Sequence, residues 1–314
     1  MQASTRRPTF SFELYPPRTA AAEASLFEAI DRLTVVEPEF ISVTYRPTGH
    51  DRAASLAVLD KLITEHRVHA MAHLTAVGSS YEEASRVIRE FLDAGITSFL
   101  ALRGDPPEGM SEDDDFLGDF ATAGELVQLI HRVQAERSPF SFHEVPGNPS
   151  ARRIGSGEKV TIAVATFPNG HPRSRSRSQD IDTLLAKEAA GANLAITQLF
   201  FEADEYLGFV DEARAAGVTM RILPGIIPVQ TVARLKRTLE LSGETMPQKL
   251  LAALEAAPDP ATASQVGIDA CIALAQDLLA GGADGIHLYT FNRSEAPLAV
   301  LNGAGLLDVS SQHA

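Results

Sequence analysis

Eight short apolar runs, at 9–13, 40–44, 69–74, 98–102, 161–165, 194–198, 220–224 and 285–289, alternate with helical patterns along the chain. That alternation restricts the fold more than any other feature. Runs of this length, rich in β-forming residues, read as strands. Their near-continuous apolar character fits parallel strands covered on both faces by crossover helices. Asp93-Ala94-Gly95, Ala189-Ala190-Gly191, Ala215-Ala216-Gly217 and Ala280-Gly281-Gly282 each stand a few residues ahead of a run. A glycine there lets a helix end in a left-handed residue before the chain turns into a strand. Eight such strands predict an α/β fold, the closed TIM (β/α)8 barrel, as a single domain over 1–314. An open doubly wound sheet is the alternative, but Pro16 and Pro17 follow the first strand where its glycine-rich fingerprint belongs.

Composition narrows the function classes. The 314 residues are 45% apolar, enough for a substantial core. With 27 basic against 41 acidic side chains, the net charge of −14 argues against a broad nucleic-acid or anionic-membrane surface. The lone Cys271 excludes an internal disulfide framework and a cysteine-cluster metal site, and its helical, alanine-rich surroundings place it in the core. No apolar signal core follows Arg6-Arg7 and no run has membrane-spanning length, so a cytoplasmic protein is expected. The outer helices mix alanine-rich and charged faces without an interface stripe, which leaves the oligomeric state open.

Two stretches break the rhythm and read as loop insertions: 108–119, with the acidic run 112–115, and 137–159, rich in Pro, Gly and Arg. The first follows a strand and so belongs to the catalytic face of a barrel, where it could serve as a lid; the second precedes a strand and belongs to the opposite face. Arg173, Arg175 and Arg177, interleaved with serines, read as a solvated basic loop on the catalytic face.

Barrel sites are assembled from the carboxyl ends of different strands. Here those ends carry Glu13, Thr44, His73, Arg103 with Asp105, Gln198 and Tyr289. Core packing does not ask for polar residues at six strand ends, so together they mark a site. No spacing of His, Asp and Glu holds a metal.

The motifs around these ends are specific. Phe12-Glu13-Leu14-Tyr15-Pro16-Pro17, Ser42-Val43-Thr44-Tyr45, Ala72-His73-Leu74-Thr75, Ala101-Leu102-Arg103-Gly104-Asp105, Ala195-Ile196-Thr197-Gln198-Leu199-Phe200-Phe201, Leu223-Pro224-Gly225-Ile226 and His287-Leu288-Tyr289-Thr290-Phe291-Asn292-Arg293 occur in this order. Together they resemble the methylenetetrahydrofolate reductase family, in its bacterial catalytic-barrel form, over nearly the whole chain. The resemblance implies reduction of 5,10-methylenetetrahydrofolate to 5-methyltetrahydrofolate for methionine synthesis, with NADH or NADPH as reductant and FAD as cofactor. It implies that Glu13 is the general acid toward the folate N10 and that Asp105 stays ionised to stabilise the cation. That role asks for a raised Glu13 pKa, which a shielded mouth supplies. Gln198, Tyr289 and Arg293 would bind substrate. Thr44, His73, Arg103, Gly104, His171, Asp180 and Lys187 would hold the flavin. The chain departs from the family pattern at Arg46-Pro47, at Phe167 and at Ala186, all on the flavin side. Two alternatives therefore stand beside the flavoenzyme: direct hydride transfer from NADH to the folate without flavin, and a folate-binding barrel without redox activity.

Overall fold

The computed structural model describes residues 7–45, 49–75, 77–106, 109–110, 116–137, 141–145, 148–155 and 160–307, with the backbone alone for 49–52, 141–145 and 148–155. Its parallel strands are β1 (Thr9–Leu14), β2 (Ile41–Val43), β3 (Ala70–Thr75), β4 (Ser98–Leu102), β7 (Thr161–Thr166), β8 (Leu194–Thr197), β9 (Arg221–Leu223), β10 (Gly225–Ile226) and β11 (Gly285–Tyr289). The predicted strand at 220–224 is observed as β9, and past Pro224, which has no N–H to give to a ladder, the chain continues as β10 beyond the predicted end. The Pro224 carbonyl still accepts from His287 N at 2.8 Å, so the pairing is continuous. The hydrogen-bonded order β10-β11-β1-β2-β3-β4-β7-β8-β9 therefore returns to its own start, giving the eight-stranded barrel expected from the sequence.

Between the strands run α1 (Ala20–Thr34), α2 (Gly49–Thr64), α3 (Tyr81–Asp93), α4 (Ala123–Arg137), α5 (Arg177–Ala189), α6 (Ala203–Ala215), α7 (Val232–Ser242), α8 (Gln248–Ala256) and α9 (Pro260–Ala280), and α10 (Glu295–Gly303) follows β11. Side-chain caps fix several starts. Ser80 and Glu83 form a capping box on α3, and Thr231 and Asp259 cap α7 and α9. The predicted helix ends hold too: Gly95, Gly191, Gly217 and Gly282 all have positive φ. After each, the next residue's N–H reaches back five positions, as Ile96 N does to Phe91 O at 2.9 Å. Among the described residues no helix is long and apolar enough to cross a membrane.

The apolar side chains divide by strand parity into an outer and an inner set. Phe12, Leu14, Ile41, Val43, Ala72, Phe99, Ile162, Val164, Ala195, Ile286 and Leu288 belong to the large cluster between barrel and helices. Phe40, Met71, Leu100, Ala163, Leu194, Ile196 and Leu223 form a separate cluster inside the barrel. Cys271 is buried in the outer layer, where burial pushes its thiol up to about 12.

One predicted loop is structured. Part of 137–159 forms an antiparallel ribbon of β5 (Ser141–Val145) and β6 (Asn148–Gly155), with Ser141 opposite Gly155. The acidic run 112–115 lies outside the described residues; next to it, Gly118 bridges to Ser79 and the Asp119 carboxylate accepts from Tyr81 N at 2.9 Å.

The amino-terminal end of the barrel is closed by an ion pair. Arg221, at the start of β9, holds both Glu39 oxygens at 2.7 and 2.8 Å and also donates to Thr9 Oγ1 and, at 3.3 Å, to Asp284 O. One guanidinium thus joins the starts of four strands. Glu39→Leu leaves that cation without its carboxylate and is expected to lower the unfolding free energy by about 1–3 kcal/mol in urea denaturation. A loss under about 0.5 kcal/mol would show that the pair does not hold the barrel end together.

Candidate active site

At the opposite end, barrel closure brings β11 beside β1, with Ser11 opposite His287 and Glu13 opposite Tyr289. Above the apolar middle layer these inward positions are polar. Glu13 Oε2 lies 3.4 Å from His73 Nε2 on β3 and 3.7 Å from His287 Nε2 on β11. The Glu13 side chain is 21% exposed, so it can be reached from the mouth, whereas His287 is wholly buried. Tyr289 donates its hydroxyl to Thr197 O at 2.9 Å and sets its ring edge-on to His287.

Burial pushes the Glu13 carboxyl up, but the nearby imidazoles, His73 first and then His287, outweigh it and hold the group below its ordinary value. This differs from the sequence expectation of a raised pKa. A shielded mouth was legible in the motif, but two imidazoles converging from other strands were not. His73 is itself lowered, first by burial and against the pull of Glu13. Burial, and then the Glu13 charge, push Tyr289 well up.

A second cluster gathers at the rim between β4 and α5. Asp180 Oδ1 accepts from His171 N at 3.3 Å and from the Ser174 hydroxyl, while Asp180 Oδ2 is buried without a partner. Lys187 Nζ donates to Ala165 O at 2.8 Å. Burial lowers the Lys187 ammonium to about 8, against the opposing charge of Asp180. Burial first, and then the charge of Arg103, lower His171, which places the Arg103 guanidinium within electrostatic reach. Arg103 also lies 5.6 Å over the Phe116 ring. Gly104, at φ +93°, brings the chain so close to Val77 that a Cβ would stand 2.8 Å from that side chain.

The sequence-predicted residues thus fall into two groups. His73, expected on the cofactor side, sits against Glu13. Arg103, Gly104, His171, Asp180 and Lys187 lie on the rim. Asp105 is exposed beside them and makes no hydrogen bond or ion pair among the described residues. Gln198 turns its Oε1 back to Leu199 N at 2.9 Å, and the Arg293 side chain is exposed. Thr44 stands at the β2 end, its carbonyl accepting from Ser55 Oγ at 3.0 Å. Phe167, where the family has a tyrosine, packs edge-on to His171 at 4.6 Å, and Ala186 is exposed on α5. Arg46-Pro47 lies outside the described residues.

Sequence reasoning missed Ser11, His287 and Asn292. The first two share the inward parity of Glu13 and Tyr289, so stepping back two residues from each strand end finds them. Asn292 and Phe291 are consecutive left-handed residues, at φ 58° and 52°. The strain has a visible return: Asn292 clasps Tyr15 through Tyr15 N to Oδ1 at 2.9 Å and Nδ2 to Tyr15 O at 2.8 Å. The clasp fixes the chain just after Glu13.

Fold and site together define a (β/α)8 barrel with an acid–imidazole centre in its carboxyl-terminal mouth and a cationic rim beside it. A sequence model of methylenetetrahydrofolate reductase matches residues 1–305, and the chain belongs to that family. It is 30% identical to the 5,10-methylenetetrahydrofolate reductase of Escherichia coli strain K12 over 297 residues, covering 94% of this chain and 90% of the relative. It is 31% identical to methylenetetrahydrofolate reductase (NADH) 1 of Zea mays, covering 98% of this chain and 50% of that longer protein. Among solved structures, a Clostridium thermocellum protein that binds two copies of 5-methyl-5,6,7,8-tetrahydrofolic acid aligns with a TM-score of 0.60 at 11% identity, over 95% of this chain and 94% of that one; this likeness is one of fold.

Lys187 supplies a pH test of the rim. Its folded pKa of about 8 lies below the ordinary 10.5, so between those values the unfolded chain binds more protons and stability from this group rises with pH. Lys187→Met should therefore stabilise the protein most, relative to the parent, near neutral pH, with the advantage shrinking from pH 8 towards 10.5. A difference in unfolding free energy that stays constant over that window would place the ammonium in solvent.

Proposed function

We propose that this protein reduces 5,10-methylenetetrahydrofolate to 5-methyltetrahydrofolate with a hydride from NADH or NADPH. The observation that carries the reading is Glu13, a carboxyl reachable from the mouth, seated between two imidazoles at the position the family motif assigns to the acid. The names of the relatives support the same reaction, and the maize relative's name favours NADH.

In this reading the folate lies across the mouth. Glu13 gives its proton to N10 as the bond from the bridging carbon to N10 breaks, leaving that carbon double-bonded to N5 as a cation. Hydride addition to the carbon completes the methyl group. A bound folate removes the remaining water from Glu13 and so strengthens burial, the one influence that pushes this carboxyl up towards its role as an acid. Asp105, exposed and without a protein partner, faces the cation as a carboxylate. Gln198 offers its amide to the pterin, and Tyr289 and Arg293 border the pocket.

The family implies FAD, and the rim fits its polar tail. The buried, unpartnered Asp180 Oδ2 accepts from a sugar or ribityl hydroxyl, Arg103 and Lys187 bring positive charge for a diphosphate with His171 beside them, and Thr44 and Gly104 line the approach. A bound flavin would relay the hydride from nicotinamide to folate. Direct transfer from NADH to the folate is the second reading, favoured by Phe167, which offers no hydroxyl, and by Lys187, whose ammonium is turned to Ala165 O. The absorbance spectrum of the purified protein separates the two: stoichiometric flavin bands sink direct transfer, and their absence together with NADH-dependent turnover sinks the relay.

Glu13→Gln should lower folate reduction by about 10²–10⁴-fold, since the amide has no proton to give. Binding of the folate should persist, and so should any oxidation of NADH by bound flavin. Equal loss of both half-reactions would refute the acid role, and folate binding without any NADH consumption by the parent protein would reduce it to a folate-binding barrel.

A further inference from the structure

Ser11 and His287 face each other across the seam of β1 and β11, two residues below Glu13 and Tyr289. Both are wholly buried. Ser11 Oγ lies 2.8 Å from His287 Nδ1, which is the hydroxyl's only hydrogen-bond partner among the described residues. A hydroxyl in a dry interior has one proton to place, and leaving it without an acceptor carries the full desolvation penalty of the group. When the ring is neutral, Ser11 therefore donates and Nδ1 accepts. A neutral imidazole whose Nδ1 accepts must carry its proton on Nε2, the nitrogen 3.7 Å from Glu13 Oε2. The ring plane is held by Phe40, which stacks on it at 5.7 Å and 22°, and by Tyr289, which meets it edge-on at 5.4 Å. His73, the other imidazole beside the carboxylate, has no partner among the described residues on its far nitrogen and is not locked in this way.

We propose that Ser11 and His287 are a positioning pair: the serine hydroxyl locks His287 in the Nε2–H tautomer, so that an N–H on a fixed ring, rather than a lone pair, faces the Glu13 oxygen 3.7 Å away. The pair sets both the direction of the carboxyl group and the pH at which it takes up a proton. The titratable groups facing Glu13 among the described residues are His73 on β3 and His287 and Tyr289 on β11. With His73 unlocked, His287 is the imidazole whose facing nitrogen does not change. The importance of this donor to the reaction rests on the acid role proposed for Glu13.

Nitrogen-15 NMR of ring-labelled histidine tests the lock directly. The neutral form of His287 in the parent protein should show a protonated Nε2 and a bare Nδ1, and Ser11→Ala should give a mixture of tautomers. The Glu13 titration, followed by its carboxyl carbon-13 shift, should rise by about one pH unit in His287→Leu, which removes the donor. It should stay near the parent value in His287→Gln, whose amide keeps an N–H near the Nε2 position. If His287→Leu does not fold, Ser11→Ala carries the comparison, with a smaller rise in the same direction. The alkaline limb of the pH profile for folate reduction should move with the titration. A proton on Nδ1 of the neutral ring in the parent, or equal shifts in the Leu and Gln variants, would overturn the pair. These spectra need no turnover: the expected tautomer in a protein that fails to reduce folate would remove the proposed function and leave the pair standing, and turnover with a protonated Nδ1 would do the reverse.

Discussion

Everything at the mouth depends on the pairing of the last strand with the first. β11 lies along β1 with Thr9 opposite Gly285 and Glu13 opposite Tyr289, a register in which inward positions of one strand meet inward positions of the other. A slip of one residue would turn Ser11 and Glu13 outward, into the layer held by Phe10, Phe12 and Leu14. Two close approaches pin the register. A Cβ on Gly285 would stand 2.3 Å from Thr9 O, so the chains meet there only because the residue is glycine. Above the strands, Thr290 donates its hydroxyl to Glu13 O at 2.8 Å and Asn292 clasps Tyr15.

The same closure sorts the interior by height. Arg221 and Glu39 tie the strand starts together, an apolar layer of Phe40, Met71, Leu100, Leu194 and Leu223 fills the middle, and Ser11, Glu13, His73, His287 and Tyr289 lie above it. The middle layer keeps the lower cation from the upper carboxylate and gives the latter a dry floor. A dry floor raises the stakes of every polar contact above it, because an unmet donor or acceptor there has no water to turn to. Hence the upper groups are few and converge on one another.

Much of this was legible in the sequence, for a physical reason. A strand in a closed parallel barrel is buried on both faces, so each appears as an apolar run, and all eight were visible. The left-handed glycines at 95, 191, 217 and 282 follow from backbone rules that single residues announce, whereas the continuation past Pro224 as a second short strand was not foreseen. The site was legible only at strand ends, where a polar residue interrupts the run. Ser11 and His287 lie within their runs, and a buried polar residue flanked by Phe10 and Phe12, or by Ile286 and Leu288, shows its purpose only once the partner strand is known. The ribbon at Ser141–Val145 and Asn148–Gly155 was missed for the opposite reason: its composition imitates a loop and no core-facing run betrays it.

The low position of the Glu13 carboxyl in the free protein follows from this architecture and is compatible with an acid. Three influences act on it: burial drives the proton on, and the two imidazoles drive it off. The imidazoles are fixed by β3 and β11 and change little when a ligand arrives, whereas burial is incomplete while the side chain remains 21% exposed. A flat heterocycle closing the mouth therefore acts on the one influence that can still grow, and in the direction of protonation. In the proposed reaction, an acid built this way would be ionised while the site is open and would gain its proton as the substrate shuts water out. On that proposal the two histidines would not oppose the chemistry but delay it until the mouth is covered.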